Sequence, residues 1–152
     1  MVAHPLLIMR KIRIASVSFL MEDSPHTAHF NIERAVEYFR GASKAGADIV
    51  CLPETVTTNG MDNPRVFVTS EWSEQFARAA REQSIAIIAP FYFSDGKKTF
   101  NQASVFDSSG NEIGRYRKAQ PTGSEAKWVT PGNDFPIIEL AISSKKDGGT
   151  AM

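Results

Sequence analysis

Ile85 to Phe93 reads IAIIAPFYF and is the most hydrophobic stretch of the chain. A short apolar run of this kind predicts a central strand. Pro90 has no N–H to give to a ladder, which places it near the end of that strand. The residues on either side follow different patterns. Toward the N-terminus, Ile12 to Phe19 (IRIASVSF) alternates and predicts a first strand. A polar loop, Met21 to Thr27, comes next. Phe30, Ile32, Ala35, Val36, Phe39 and Ala42 then recur at helical spacing, with Gly46 placed to end the helix in a left-handed cap. Asp48 to Leu52 predicts a short buried parallel strand. Thr55 to Thr69 is a polar loop with Asn59-Gly60 as a turn signal. Ser70 is placed to cap a second helix whose Trp72, Phe76, Ala79 and Ala80 share a face.

Toward the C-terminus the pattern becomes one of hairpins. Ser94-Asp95-Gly96-Lys97 is a turn, Phe100 to Phe106 a strand, Asp107-Ser108-Ser109-Gly110 a turn and Ile113 to Arg117 a strand. A βαβαβ start running into hairpins implies an α/β fold: a mixed sheet with helices packed on one face. Lys118 to Asp134 is irregular and holds Pro121, Gly123, Pro131 and Gly132; loops of this length are often functional. Phe135 to Leu140 (FPIIEL) predicts one more strand. The expected division is a leader over 1–11, a domain over 12–140 and a disordered tail over 141–152.

The chain has 152 residues, enough for one domain with its own core. Lysine plus arginine equals aspartate plus glutamate, 17 each. That balance gives no basic surplus for nucleic acid, and it does little to oppose self-association. The one cysteine rules out an internal disulfide and fits a reducing compartment. Pro5 to Met9 is too short for a secretory core or a membrane span. A soluble, cytoplasmic protein without membrane partners is expected.

Two segments carry candidate chemistry. Val50-Cys51-Leu52-Pro53-Glu54 is an apolar run ending in a carboxylate, where open α/β sheets keep their sites. Position alone leaves Glu54 open between a general base and a turn-capping carboxylate. Gly114-Arg115-Tyr116-Arg117-Lys118 is a strand ending in a cation. Alternation puts Tyr116 and Lys118 on one face, Arg115 and Arg117 on the other. Lys118 is either a solvated edge charge or a buried-face lysine that needs a carboxylate partner. Glu125, seven residues on, could supply one or could be a surface carboxylate. Cys51 lies inside Ile49-Val50-Cys51-Leu52, as a buried structural thiol does. Strand alternation would point it away from Glu54. His26 and His29 have too few companions for a metal site, and no cofactor motif is present. No nucleophile elbow appears.

The ordered segments resemble the nitrilase superfamily of carbon–nitrogen hydrolases. Arg13-Ile14-Ala15-Ser16-Val17 and Gly46 through Glu54 resemble that family's opening. Phe100 to Phe106 (FNQASVF) resembles its Asn-Ser-Ala strand, and Gly110 to Lys118 (GNEIGRYRK) its lysine motif. Glu125 to Asn133 (EAKWVTPGN) is similar to the segment leading to its nucleophile. The match runs from about Arg13 to Leu140. The resemblance implies an α-β-β-α sandwich, of which this chain carries the first half, and sheet-to-sheet pairing into a homo-oligomer, or self-association through the exposed sheet. It implies a Glu–Lys–Cys triad that cleaves a small-molecule amide or nitrile without cofactor or metal. In that triad Glu54 is the base, Lys118 the oxyanion stabiliser and Glu125 an accessory carboxylate.

After Leu140 the likeness stops. Ala141 to Met152 (AISSKKDGGTAM) offers no strand and no cysteine. A chain truncated before its nucleophile, and inactive alone, is expected. Two other readings stand beside it: a non-catalytic half-domain that serves as an interaction module, and a binding protein on an unrelated α/β fold. The loops give no charge pattern that selects a substrate.

Overall fold

The computed structural model describes residues 11–19, 27–58, 65 and 68–142. In chain order these form β1 (Ile14–Ser16), α1 (Thr27–Lys44), β2 (Ile49–Cys51), α2 (Glu71–Gln83), β3 (Ala86–Ser94), β4 (Thr99–Phe106) and β5 (Glu112–Arg117). A short 3-10 turn spans Glu125–Lys127. The five strands lie side by side in the order β1-β2-β3-β4-β5. β1, β2 and β3 are parallel, whereas β3-β4 and β4-β5 are antiparallel hairpins. The mixed α/β sheet expected from the sequence is therefore present. Both helical crossovers step the same way along the sheet. Since such crossovers are right-handed, both helices fall on one face.

That face holds the core. On α1, Ala28, Ile32, Ala35 and Phe39 form a buried stripe at helical spacing. On α2 the buried residues are Trp72, Phe76, Ala79 and Ala80. They meet Val50 of β2, Ile87, Ala89 and Phe91 of β3, and Phe106 of β4. Phe76 sits at the centre, with ring centres 6.3 Å from Phe39 and 5.6 Å from Phe91. α1 stops where Gly46 turns left-handed at φ +79, its N–H bonded to Ser43 O at 3.0 Å. Ser70 occupies the cap position of α2, yet its side chain makes no capping bond. Thr69 takes that role, accepting from the N–H of Glu71 at 3.2 Å.

Three expectations need correction. β1 covers Ile14–Ser16 rather than 12–19, because its only neighbour, β2, is itself three residues long. Pro90 lies in the middle of β3, not near its end. Its carbonyl accepts from Val56, so its missing N–H faces the side where β2 has already finished, and no ladder bond to β4 is lost. Phe135 to Leu140 forms no strand. Gly132 donates to Lys118 O at 2.9 Å, and beyond it the chain crosses over β5 instead of pairing with it. The ring of Phe135 lies 6.2 Å from that of Tyr116, and Ile138 fills the space above Gly114. Residues 1–10 of the expected leader, 143–152 of the expected tail, the Asn59-Gly60 turn and His26 lie outside the described residues.

Phe76→Ala is expected to destabilise the fold by about 3–5 kcal/mol, as for a large aromatic removed from a closed core. Phe135→Ser, at a position 78% exposed, should cost little. Urea unfolding midpoints of the two variants check the contrast.

Candidate active site

The site forms on the face of the sheet that carries no helix. Tyr92 on β3 and Asn101 on β4 are direct partners across the hairpin, so their side chains emerge together. Lys118 follows β5, and its N–H donates to Asn101 O at 2.9 Å. The register puts Tyr116 beside Ala103, and Arg115 and Arg117 opposite Ser104 and Gln102 on the helix side. Lys118 is thus delivered to the same face as Asn101. Its carbonyl accepts from Gly132, where a Cβ would strike the Arg117 carbonyl. Only glycine allows that approach.

Glu54 arrives from the other side. The chain leaves β2 at Cys51, and Leu52 still donates to Ile88 O at 3.0 Å. It then turns sharply, with Thr55 left-handed at φ 49, a strained conformation for a branched side chain. Val56, fully buried, donates to Pro90 O at 3.0 Å and anchors the turn. Glu125 opens the 3-10 turn, which is tied down where Thr130 donates to Thr99 O at 2.7 Å.

These elements bring the three predicted residues together. Lys118 Nζ lies 2.9 Å from Glu54 Oε1 and 2.9 Å from Glu125 Oε2. Asn101 Nδ2 donates to Glu54 Oε1 at 2.8 Å and to Glu125 Oε1 at 2.7 Å. The hydroxyl of Tyr92 donates to Glu125 Oε1 at 3.1 Å. Glu125 therefore has both oxygens occupied. Glu54 uses only Oε1, and Lys118 keeps one of its three N–H groups uncommitted among the described residues. Glu54 is also the open member, its side chain 61% exposed against 12% for Glu125.

The electrostatics follow from these bonds. The hydrogen bond from Lys118 holds the Glu54 carboxyl below its ordinary value, with Asn101 helping against a smaller opposing effect of burial. Burial pushes Glu125 up, but its bonds from Lys118, Asn101 and Tyr92 together bring it below the usual range. Lys118 is raised by its bonds to Glu54 and Glu125. Burial, then the charge of Glu125, raises the Tyr92 phenol. All three charged groups are ionised at neutral pH, and the trio carries one net negative charge.

Tyr92 was absent from the sequence-based candidates, and Asn101 figured only as a motif letter. The available signal was their polarity inside two apolar strands. Tyr92 also packs on Trp128, with ring centres 4.7 Å apart. Cys51 stands apart. The register with Ile88 puts it on the same face as Tyr92, so the expectation that it points away from Glu54 is overturned: the strand ends at Cys51, and its alternation does not reach Glu54. No hydrogen bond joins its thiol to the cluster among the described residues. Ile88 lies four residues before Tyr92, or about 13 Å along the strand. Burial raises the Cys51 thiol, and its Sγ points at the Leu52 carbonyl at 3.7 Å. His29 stands on α1 with its ring edge-on to Trp72. No group of three or more potential metal ligands occurs among the described residues. No described helix is long and apolar enough to cross a membrane.

The carbon-nitrogen hydrolase family model matches residues 13–150. The chain belongs to the carbon-nitrogen hydrolase family. The likeness to the nitrilase superfamily drawn from the motifs is borne out. A mouse protein named omega-amidase NIT2 is 29% identical over 123 residues, covering 72% of this chain and 45% of the relative. A carbon-nitrogen hydrolase structure from Helicobacter pylori G27 matches with a TM-score of 0.74 at 23% identity, covering 86% of this chain and 48% of that one. A variant of the amidase from Nesterenkonia sp. AN1, with acrylamide added at its active-site cysteine, matches with a TM-score of 0.71 at 21% identity. It covers 82% of this chain and 51% of that one. At these identities the structural likeness is one of fold. The chain spans about half the length of the relatives it matches.

The pH dependence of stability has a defined sign. Glu54 and Glu125 have folded values below the ordinary 4.5, so their contribution is complete above that pH and lost as pH falls through the lower folded values. Lys118 has a folded value above 10.5, so its contribution is complete below that pH and lost as pH rises through the higher one. Lys118→Met should lower stability across the plateau and flatten the acid limb. Urea midpoints measured from pH 3 to pH 8 check this; an unchanged acid limb would contradict it.

Proposed function

We propose that this chain carries the base-and-lysine part of an amide-hydrolysing site. The observation that carries the reading is the single ammonium of Lys118 bound by both Glu54 and Glu125 at 2.9 Å. Family membership gives the reaction class, and the names of the omega-amidase and amidase relatives favour an amide over a nitrile as substrate. Glu54 is the base: it is open to solvent, and among the described residues one of its oxygens is uncommitted. It takes the proton of a thiol, and the thiolate attacks the carbonyl carbon of a small amide. Lys118 gives its remaining N–H to the developing oxyanion. Glu54 returns the proton to the departing amine, and water then cleaves the thioester. Glu125 holds Lys118 in place and keeps it charged.

The thiol is the group these 152 residues do not place at the site. Cys51 is the only cysteine, and it lies well along the sheet from Tyr92. The polypeptide by itself is therefore inactive but able to bind amides. Titrating it with short carboxamides should shift the backbone NMR signals of Lys118 and Glu125, and Lys118→Met should abolish the effect. No shift at either residue would overturn the reading. Ammonia release that depends on Glu54, or a thioester trapped on Cys51, would overturn the expected inactivity.

A second reading has its own support. On the helix-free face Ile14 is 65% exposed, and Phe135 and Ile137, in the segment that crosses β5, are 78% and 95% exposed. Uncovered apolar surface of this kind favours association. In that reading the chain is an interaction module that pairs through its sheet, as a homo-oligomer or with a longer subunit. Light scattering should then find species larger than a monomer, reduced by Ile14→Lys combined with Phe135→Lys. A monodisperse monomer would exclude it.

A further inference from the structure

Asn101 is 6% exposed and touches both carboxylates of the site through one nitrogen. The chemistry of its neighbours fixes which end of the amide faces them. Its two partners there are carboxylate oxygens, which accept only, so the amide oxygen turned toward them would be repelled. Each of the two N–H groups has one acceptor, at 2.8 Å on Glu54 Oε1 and 2.7 Å on Glu125 Oε1. The backbone of Asn101 is held as well, since its carbonyl accepts from Lys118 N at 2.9 Å. The side chain is therefore a fixed fork between two like charges.

Both Asn101 and Lys118 converge on the same oxygen of Glu54. Lys118 alone would leave the carboxylate free to rotate about its own axis and offer either oxygen. A second donor at Oε1, from a rigid strand, removes that freedom. Resting on the assignment of Glu54 as base, we propose that Asn101 is a positioning residue that commits Glu54 Oε1 and leaves Oε2 as the atom that accepts the nucleophile's proton. The proton of the thiol passes to Oε2, the electron pair stays on sulfur, and the bonds at Oε1 are undisturbed. The thiol is thereby required on the Oε2 side, away from β4.

The residue type suits the task. Serine has one donor and could serve only one carboxylate. Lysine would add a charge and weaken Glu54 as a base. Aspartate would bring a third carboxylate against two others. An amide brings two donors and no charge. Among the described residues the charged and titratable groups bonded around it are Glu54, Glu125, Lys118 and Tyr92, each tied into the network.

The test reads the side chains by NMR in the 152-residue chain and needs no turnover. Both Asn101 side-chain N–H protons should lie downfield and exchange slowly. Both should move upfield together as acid protonates Glu54 and Glu125. Glu54→Ala, which removes the acceptor, should release one of the two protons and leave the other on Glu125. In Asn101→Ser the Glu54 carboxyl carbon should titrate at higher pH than in the parent, with core signals such as those of Phe76 unchanged. A single displaced N–H, or an unchanged Glu54 titration in folded Asn101→Ser, would overturn the proposal. Should Asn101→Ser not fold, the proton shifts of the parent chain and of Glu54→Ala decide it. Amide binding is a separate measurement, so failure of the base assignment and failure of the fork are distinguishable.

Discussion

The ammonium group of Lys118 sits between two carboxylates drawn from positions 64 residues before it and seven after it. Two carboxylates brought this close repel unless a cation or a proton lies between them. The remaining architecture serves that contact. β5 ends where Lys118 must project, the turn after β2 lifts Glu54 over the sheet, and the 3-10 turn returns Glu125 to the same face. Bonds from Thr130 to Thr99 and from Gly132 to Lys118 close the loop around the lysine. Asn101 and Tyr92 then add donors without adding charge, so the cluster keeps one negative charge to work with.

Much of this was legible in the residues. The βαβ opening followed from alternation, helical spacing and a short apolar run, because each pattern reports burial of one face. The two hairpins followed from turn residues between apolar strands. Glu54, Lys118 and Glu125 were individually ambiguous, since a carboxylate or a lysine at an element's end is most often just solvated. Their order within four family-like segments singled them out. The structure brings the same three within hydrogen-bonding distance.

What escaped the sequence depended on tertiary partners. Pro90 suggested a strand end because the missing N–H was charged to the ladder as a whole; the register turns that N–H to the β2 side, and only where β2 stops decides that no bond is lost there. FPIIEL reads like a strand, yet it crosses over β5 instead of pairing along that strand's open edge, and Ile138 finds the vacancy above Gly114. Alternation also failed from Cys51 to Glu54, because β2 stops at Cys51 and the residues that follow are no longer extended in a strand. Tyr92 and Asn101 were hidden for a related reason. Their role comes from being cross-strand partners, and pairing register is not written in either strand alone.

The strand order β1-β2-β3-β4-β5 repeats the order of synthesis. Each strand leaving the ribosome meets the one made just before it, so the sheet grows outward without waiting for distant chain, and the entropy of closing long loops stays low. The ion cluster assembles on a different schedule. Glu54 is made early and stands without its cation until β5 has docked and Lys118 has arrived, and Glu125 joins last. The scaffold is therefore built in small local steps, while the ion cluster closes only once β5 and the loop beyond it are in place.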